Sequence, residues 1–368
     1  MPLFMDFHKM ENISIEAVKT AHLADIEVQE KYGVRYHQFW VNVKAGTVFC
    51  LTEGPDKESC EAVHRVSHGN NACAITEVEG GFYKTLMGEG MMVDEGGLVL
   101  NKDGHIDLGY RNIMVASVYG VTKAAHSKDI PQLQTPHWSR KLISKKIAAL
   151  RGREIKWESD DSLIGVFNDS TEAVTCALQI QQELNQPKNN PSEIIFRIGI
   201  TAAQPVTAKG DFFNDAIRQA HRLCNVAKDN QVLVSSLVKK LYKEDDDVTG
   251  MSSFKSLDAA EESFVTNLLN VAELKLSDCK FSLDNLSNEI YISRSQLYRK
   301  ITAISGRSPH DLIRDLRMHK ALTLLKRKTS NIADIAFEAG FNSPSYFTKC
   351  FAEKFGCTPS SFAKQIPA

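Results

Sequence analysis

Residues 332–362 read IADIAFEAGFNSPSYFTKCFAEKFGCTPSSF, which contains two helical patterns separated by a short turn. The turn contains Gly340, whose backbone freedom suits a sharp change of direction. Ser343 then provides a good N-cap, and Pro344 occupies the first helical position, where proline is favoured. A glycine and a following x-Pro end the second helix. This stretch therefore predicts a helix-turn-helix unit whose second helix covers about 343–355.

A similar pattern lies upstream. Residues 283–290 (LDNLSNEI) form a first helical pattern, and residues 293–301 (SRSQLYRKI) form a second one that begins at an N-cap serine. A long helix from Ser308 to about residue 328 connects the two units, and its leucines can pack against both. The sequence therefore predicts two helix-turn-helix units in tandem, and the second helix of the first unit covers about 293–305.

Each second helix has an apolar face, predicted to pack in the core, and a polar face. The polar faces hold the residues predicted to contact DNA: Arg294, Ser295, Gln296, Arg299 and Lys300 in the first unit, and Ser343, Ser345, Thr348 and Lys349 in the second. Arginine and glutamine can form paired hydrogen bonds to base edges, whereas lysine and serine often contact phosphate. A solvated charged face explains any one such helix, but two in tandem favour binding to double-stranded DNA.

These patterns resemble the AraC/XylS-type DNA-binding domain over about 263–368. The resemblance implies an all-α tandem helix-turn-helix fold and a sequence-specific transcription regulator. The charge distribution is compatible with it, because residues 261–368 hold 15 Lys and Arg against 11 Asp and Glu in a chain of net charge −1.

The N-terminal block, residues 1–88, shows the order β-α-β-β-α-β. A strand precedes a helix over about 14–32, which ends at Gly33. A hairpin and a second helix over about 56–68 follow, and residues 73–86 are predicted to form the last strand. This order predicts a ferredoxin-like α+β fold.

Histidine and cysteine are concentrated in this block. The candidate metal ligands are Cys60, His64 and His68 on the second helix, His37 and Cys50 on the hairpin, and His22 on the first helix. Positions i, i+4 and i+8 lie near one helix face, and imidazole with thiolate suits Zn²⁺, Ni²⁺ or copper. Spacing alone slightly favours the alternative that the cysteines are small core residues and the histidines are surface groups.

Three further segments favour the metal site: AHLADIEVQEKYGVRYHQFWV (21–41), GTVFCLTEGPDKESCEAVHRVSHG (46–69) and EVEGGFYKTLMG (77–88). They closely resemble a small ferredoxin-like family described as nickel-binding. The resemblance implies nickel or another divalent transition metal as the cofactor of residues 1–88. The ligand set given above comes from residue type, not from the family.

Residues 106–243 alternate strands and helices and resemble the class III nucleotide cyclase domain, which implies an α/β cyclase-like fold. The resemblance lies in REIKWESDDSLIGVF (153–167), TEAVTCALQIQQEL (171–184), FRIGI (196–200) and GDFFNDAIRQAHRLCNVA (210–227). Cyclisation needs two carboxylates that hold metal ions against the phosphates. Asp160 matches the second carboxylate, but Ser117 stands in place of the first and Arg218 in place of the transition-state Asn. The block is therefore interpreted as a degenerate, non-catalytic domain used for homodimerisation, ligand sensing or spacing.

Several features concern the whole chain. Residues 88–105 and 244–262 are rich in glycine or acidic residues and are interpreted as linkers. No apolar run approaches the ~18 residues that a membrane helix needs. The N-terminus lacks the basic region of a secretory signal, and the eight cysteines are scattered without a CxxC pair. We therefore expect a multidomain cytoplasmic protein with no membrane partner.

Together the three blocks predict a transcription regulator in which a metal or small-molecule effector changes how the C-terminal domain engages DNA. Two other functions stay open. One is a nucleotide cyclase-type enzyme tethered to DNA, against which Ser117 and Arg218 argue. The other is a metal-storage module fused to an unregulated DNA-binding domain.

Overall fold

The computed structural model describes residues 1–122, 132–134, 137–159, 162–186, 192–243, 254–327 and 330–365. Within these ranges the chain forms an N-terminal α+β unit, a central unit built on a sheet and a C-terminal helical unit. No helix in these ranges is both long and apolar enough to cross a membrane.

The N-terminal unit has the predicted β-α-β-β-α-β order. Its strands are β1 (Leu3–Lys9), β2 (Arg35–Asn42), β3 (Thr47–Glu53) and β4 (Ala74–Val78), and its helices are α1 (Ile15–Val28), α2 (Lys57–Ser67) and α3 (Gly80–Met87). The strands form one sheet in the order β2-β3-β1-β4, with all neighbouring pairs antiparallel. This is the strand order of a ferredoxin-like fold.

Two local predictions for this region are wrong. The last strand does not reach residue 86, because α3 begins at Gly80 and buries Tyr83, Leu86 and Met87 at helical spacing. Residues 88–105 are not an open linker. They contain the short antiparallel strands β5 (Met92–Val93) and β6 (Val99–Leu100). Leu98 and Val99 are buried.

The central unit contains a second β-α-β-β-α-β arrangement. Its strands are β7 (Arg111–Thr122), β8 (Gln132–Gln134), β9 (Arg153–Ser159), β10 (Ser162–Phe167), β11 (Ser192–Ala203), β12 (Gln231–Val234) and β13 (Lys255–Ser256). Its helices are α4 (His137–Ala149), α5 (Ser170–Leu184), α6 (Asn214–Val226) and α7 (Ser236–Leu241). The order β11-β7-β10-β9 repeats that of the N-terminal sheet. The cyclase-like interpretation stays a prediction, and Asp160 lies outside the described residues.

The two sheets pack against each other. Met5 and Phe49 of the N-terminal sheet share a buried core with Ile113 and Val115 of β7. The opposite face of the central sheet is covered by helices, α5 among them. Because both faces are buried within this chain, a homodimer through this unit would have to use its helices or its edges.

The C-terminal unit is entirely helical in its described residues. Its helices are α8 (Ala259–Lys275), α9 (Leu283–Glu289), α10 (Arg294–Ser305), α11 (Pro309–Arg327), α12 (Ile332–Glu338), α13 (Pro344–Phe355) and α14 (Pro359–Gln365). The side chains of Ser293 and Ser343 accept hydrogen bonds from backbone N–H groups in the first turns of α10 and α13. These N-caps confirm the predicted starts of both second helices. The first unit packs on Leu223 and Leu233 of the central unit, and the second on Tyr119.

Candidate metal centre and nucleic-acid interface

Imidazole and carboxylate groups converge between the N-terminal sheet and its two covering helices. Strand β1 contributes two side chains that are two residues apart and therefore point to one face. Helix α2 contributes one histidine, the residue that follows its last turn contributes a second one four positions later, and α1 contributes one carboxylate. These residues are called the His–Asp cluster: Asp6, His8, Asp25, His64 and His68.

His64 lies at the centre of the His–Asp cluster. Its Nε2 atom is 2.9 Å from Oδ2 of Asp6, and its Nδ1 atom is 3.1 Å from Oδ2 of Asp25. Nε2 of His8 is 3.5 Å from Oδ1 of Asp6, and Nε2 of His68 is 3.2 Å from Oδ1 of Asp25. Two triads of donor atoms thus share His64, and within each triad the atoms lie within 4.8 Å of one another.

The charges in the His–Asp cluster are strongly coupled. Burial alone would lower the pKa of His64, but its hydrogen bonds with Asp25 and Asp6 raise that pKa to about 10. Burial would raise the pKa of Asp6, but the neighbouring His8 and His64 hold it well below its usual range. The arrangement therefore favours an imidazolium between two carboxylates. A divalent cation could take the place of the His64 proton and keep both carboxylates ionised.

His22 adds an unpartnered donor beside the cluster. Its side chain is 2% exposed, and among the described residues neither of its ring nitrogens has a hydrogen-bond partner. Burial lowers the pKa of His22 and so keeps the imidazole neutral, as a metal ligand must be. His22 and Cys50 line, with most of the cluster, a cavity of about 100 Å³. Imidazole and carboxylate donors around a space of this size fit a single Ni²⁺ or Zn²⁺ ion.

The other two predicted ligands do not line this cavity. His37 lies at a register shift of β2, and its Nε2 atom is 3.4 Å from Oε2 of Glu53. Sγ of Cys60 lies 3.6 Å from the hydroxyl of Thr52. Of the predicted ligands, His64 and His68 thus lie together in the cluster and His22 and Cys50 line the same cavity, while their role as metal ligands stays a prediction.

Three members of the cluster were missed: Asp6, His8 and Asp25. Two weak signals existed. Asp6 and His8 are two residues apart on a predicted strand, which places them on one face. Asp25 follows His22 by three residues on a predicted helix, which places it on the same side. Neither signal shows that the strand face and the helix face meet.

The predicted DNA-contacting residues lie on α10 and α13, the two second helices. Arg294, Ser295 and Arg299 are exposed on α10, and Ser345 and Lys349 are exposed on α13. Nε of Arg294 is 3.1 Å from Oδ1 of Asp284, whereas Nζ of Lys349 is 3.9 Å from Oε1 of Glu353. Such exposed ion pairs are weak and can be exchanged for contacts with phosphate.

The remaining four candidates make contacts within the protein. Gln296 accepts a hydrogen bond from the N–H of Ser293 as part of a capping box, and Ser343 caps α13. The hydroxyl of Thr348 donates to a carbonyl of its own helix. Nζ of Lys300 lies 5.2 Å from the ring centre of Phe264, and so it is directed toward α8.

Two exposed aromatic residues were missed on these helices. Tyr298 on α10 and Tyr346 on α13 are 55% and 49% exposed. Their signal was an aromatic residue on an otherwise polar helix face. Both can contribute apolar or hydrogen-bonding contacts to a bound nucleic acid.

Two regions of the chain match known families. Residues 286–365 match the family described as "Helix-turn-helix domain", and residues 4–78 match the family described as "Nickel responsive protein SCO4226-like". The chain therefore carries an AraC-type helix-turn-helix domain at its C-terminus and an SCO4226-like domain at its N-terminus.

Individual relatives are similar to parts of the chain. The HTH-type transcriptional regulator ExsA of Pseudomonas aeruginosa is 37% identical over 81 residues, which are 22% of this chain and 29% of that protein. The crystal structure of SCO4226 from Streptomyces coelicolor A3(2) is 38% identical and matches 21% of this chain and 94% of its own, with a TM-score of 0.20. An AraC-type transcriptional regulator from Chromobacterium violaceum is 25% identical and matches 29% and 96%, with a TM-score of 0.28.

The chain spans only 8% to 29% of the length of the first curated relatives that it matches. The similarity is thus one of domains. The curated relatives include HTH-type transcriptional regulators and a histidine kinase.

Proposed function

We propose that this chain is a transcription regulator that binds specific double-stranded DNA through residues 263–368 and responds to nickel or another divalent transition metal bound by residues 1–88. The observation that carries the DNA-binding part is the pair of second helices. Each is capped by a serine at its N-terminal end and presents exposed polar residues there. Helices presented in this way are the elements that enter the major groove in helix-turn-helix proteins.

The two helix-turn-helix units are joined rigidly. The guanidinium of Arg317 on α11 donates to the carbonyl oxygens of Leu276, Asp278 and Phe281, next to the first unit. Gly340, in the turn of the second unit, lies so close to Leu276 that a Cβ atom would be 2.0 Å from its carbonyl oxygen. Because the units are fixed to each other, they should contact major-groove segments about one helical turn (~10 bp) apart.

The metal-responsive part rests on how β1 is placed. Asp6 and His8 face the His–Asp cluster, while Met5 and Phe7 point to the other side and pack in the core shared with the central sheet. When bound, the ion supplies a positive charge that ties β1 to α1 and α2. A change in the position of β1 is thereby passed to the central unit, which packs directly on the DNA-binding unit.

The remaining assignments follow from the same placement. We divide the chain into a metal-binding domain (1–88), a degenerate cyclase-like domain (106–243) that links the other two, and the DNA-binding domain (263–368). No disulfide joins any of the eight cysteines, all of which lie in the described ranges, and this supports a location in the reducing cytoplasm. Homodimerisation through the central domain and an organic effector in place of the metal are alternatives to this proposal.

The decisive experiment measures the DNA affinity of the full chain at increasing nickel concentration, on a site selected from random DNA. The variant is His64→Ala with His68→Ala, and the control is His37→Ala, which removes an imidazole outside the cavity. We expect nickel to change the affinity of the wild type and the control but not that of the double variant. Equal affinity for the selected site and scrambled DNA would refute specific binding. Nickel binding without any change in DNA affinity would favour metal storage.

A further inference from the structure

We infer that Asp315, in the connecting helix α11, sets the distance between the two DNA-reading helices α10 and α13 and ties that distance to the central unit through Arg197. The inference rests on the proposed DNA-binding function, and it assigns Asp315 and Arg197 as positioning residues that do not themselves contact DNA.

The carboxylate of Asp315 forms ion pairs with three cationic side chains from three parts of the chain. Oδ2 of Asp315 accepts a hydrogen bond of 2.6 Å from Nη2 of Arg197, which lies on β11 of the central unit. The same oxygen pairs with Arg307, two residues after the end of α10. The other oxygen pairs with Lys354, in the last turn of α13. The C-terminal ends of both reading helices therefore meet at Asp315.

Further contacts join the C-terminal ends of α10 and α13 to the central unit. Nη2 of Arg307 donates to the carbonyl oxygens of Asn225 and Ala227 at 2.8 and 3.0 Å. Nζ of Lys354 lies 5.9 Å from the ring centre of Tyr119 on β7, and that ring is 6.1 Å from the ring of Phe355. The C-terminal ends of the reading helices are thus held, while their N-terminal ends stay exposed for DNA.

The charge balance makes Asp315 hard to replace. Its side chain is 14% exposed, and that of Arg197 is 2% exposed. The second carboxylate at this place is Asp229, which accepts a hydrogen bond of 2.7 Å from Nε of Arg197 and is half exposed. Without the charge of Asp315, the buried Arg197 and the partly buried Arg307 and Lys354 would face one another with only Asp229 as counter-charge. Like charges in a poorly solvated place repel strongly. The C-terminal ends of α10 and α13 would then separate.

If this happens, the protein should tolerate a wider range of distances between the two half-sites in DNA. One inserted base pair between the two half-sites moves the second major-groove segment by roughly 3.4 Å and turns it by about 36°. A protein whose reading helices are held at one distance rejects this site. A protein whose helices have been released accepts it more readily.

The experiment compares the affinity of the full chain for a selected site with its affinity for the same site carrying one inserted base pair. The ratio of the two is called the spacing ratio. For the wild type we expect a spacing ratio of about tenfold or more, the size of a typical single-position defect. Asp315→Asn should lower the ratio to about threefold or less, and Arg197→Met should give an intermediate ratio because Arg307 and Lys354 keep their carboxylate.

Asp311→Asn is the matched control, since it makes the same change one turn earlier on α11, at an exposed carboxylate paired with Arg314. It should keep the wild-type spacing ratio. Affinity for scrambled DNA should be equal in all four proteins, because no phosphate contact is altered. If Asp315→Asn does not fold, as judged by its circular dichroism, Arg197→Met decides alone.

An unchanged spacing ratio in the folded variants overturns the inference while leaving the proposed function intact. A ratio that falls equally in Asp311→Asn also overturns it, because the effect would then not belong to Asp315. A wild type that binds selected and scrambled DNA equally refutes the proposed function, and the inference falls with it.

Discussion

The Nε2 atom of His64 lies 2.9 Å from Oδ2 of Asp6, and both side chains are only 1% exposed. A second carboxylate, Asp25, lies on the other side of the imidazole. When no cation is bound, this geometry favours the imidazolium form of His64, with a proton on both ring nitrogens, at neutral pH. Metal binding must release one of these protons, so metal affinity and pH are linked at this place.

We therefore predict that the affinity of the chain for nickel rises with pH over the neutral and mildly alkaline range. The pKa of His64 is raised to about 10, so the proton competes with the metal at every pH below that value. Affinity should increase about tenfold per pH unit for each proton displaced. Calorimetry in two buffers of different ionisation enthalpy counts the released protons. Binding without proton release would contradict the protonated state of His64.

The proton also affects the stability of the chain without metal. The pKa of His64 in the folded chain lies above the pKa of free histidine, ~6.5. The ion pairs of His64 therefore stabilise the fold fully below pH ~6.5. This stabilisation should be lost as pH rises through about 10. In the metal-free full chain, we expect the thermal unfolding midpoint of the N-terminal unit to fall between pH 7 and pH 10. The measurement is the protection of the α2 amides from hydrogen exchange at increasing temperature, relative to an unfolded chain at the same pH. A midpoint that is constant over this range would contradict the prediction.

A third prediction concerns the ligands themselves. His64→Ala with His68→Ala should lower nickel affinity by at least ~10-fold, since even the loss of a partner that orients a ligand typically costs ~10–100-fold. Asp25→Asn should also weaken binding. His37→Ala is the control, because its imidazole is paired with Glu53 outside the cavity. Titration calorimetry on the full chain measures all of them. If the double variant binds nickel and zinc like the wild type, the ligand assignment is wrong.

The metal centre shows where sequence reasoning ends. The pair His64 and His68 could be predicted because they lie at i, i+4, on α2 and at its C-cap, which is a local relationship. Asp6 and Asp25 could not, because they reach His64 only after β1 and α1 have packed against α2. The assignment of His37 stays a prediction: a register shift of β2 lies at this residue, and its imidazole is paired with Glu53.

The two helix-turn-helix units and the helix that connects them were predicted from the sequence, for the opposite reason, whereas α8 and α14 were not. Its N-caps, its turn glycine and its N1 proline are all local signals that act within a few residues. The contacts between this unit and the central sheet include the ion pair of Arg197 with Asp315, two residues that are far apart in the chain. Such a contact leaves no periodic or local signal in the sequence.

A fourth prediction separates base reading from phosphate contact. Arg299→Ala should cost about 1–3 kcal/mol on the selected site and relax the preference at one base pair, because a bidentate contact to a base edge is lost. Lys349→Ala should weaken binding to selected and scrambled DNA alike and flatten the salt dependence. Both side chains are exposed on the reading helices. Affinities across a salt series measure the two effects. If Arg299→Ala keeps the full preference, Arg299 is not a base-reading residue.

The last prediction tests how the two helix-turn-helix units are held together. Gly340 has φ +91°, and a Cβ atom there would lie 2.0 Å from the carbonyl oxygen of Leu276 and 2.8 Å from Nε of Arg317. Gly340→Ala should therefore destabilise the C-terminal unit by more than the roughly 1–3 kcal/mol of backbone strain alone, and it should reduce specific DNA affinity. The control is Gly306→Ala, with a similar left-handed backbone (φ +66°) but only the flexible side chain of Lys228 nearby. Thermal unfolding and DNA affinity of the full chain measure both variants. Because backbone strain is common to the two, their difference reports the contact between the units. Equal losses in the two variants would show that this contact does not hold the units at a fixed distance.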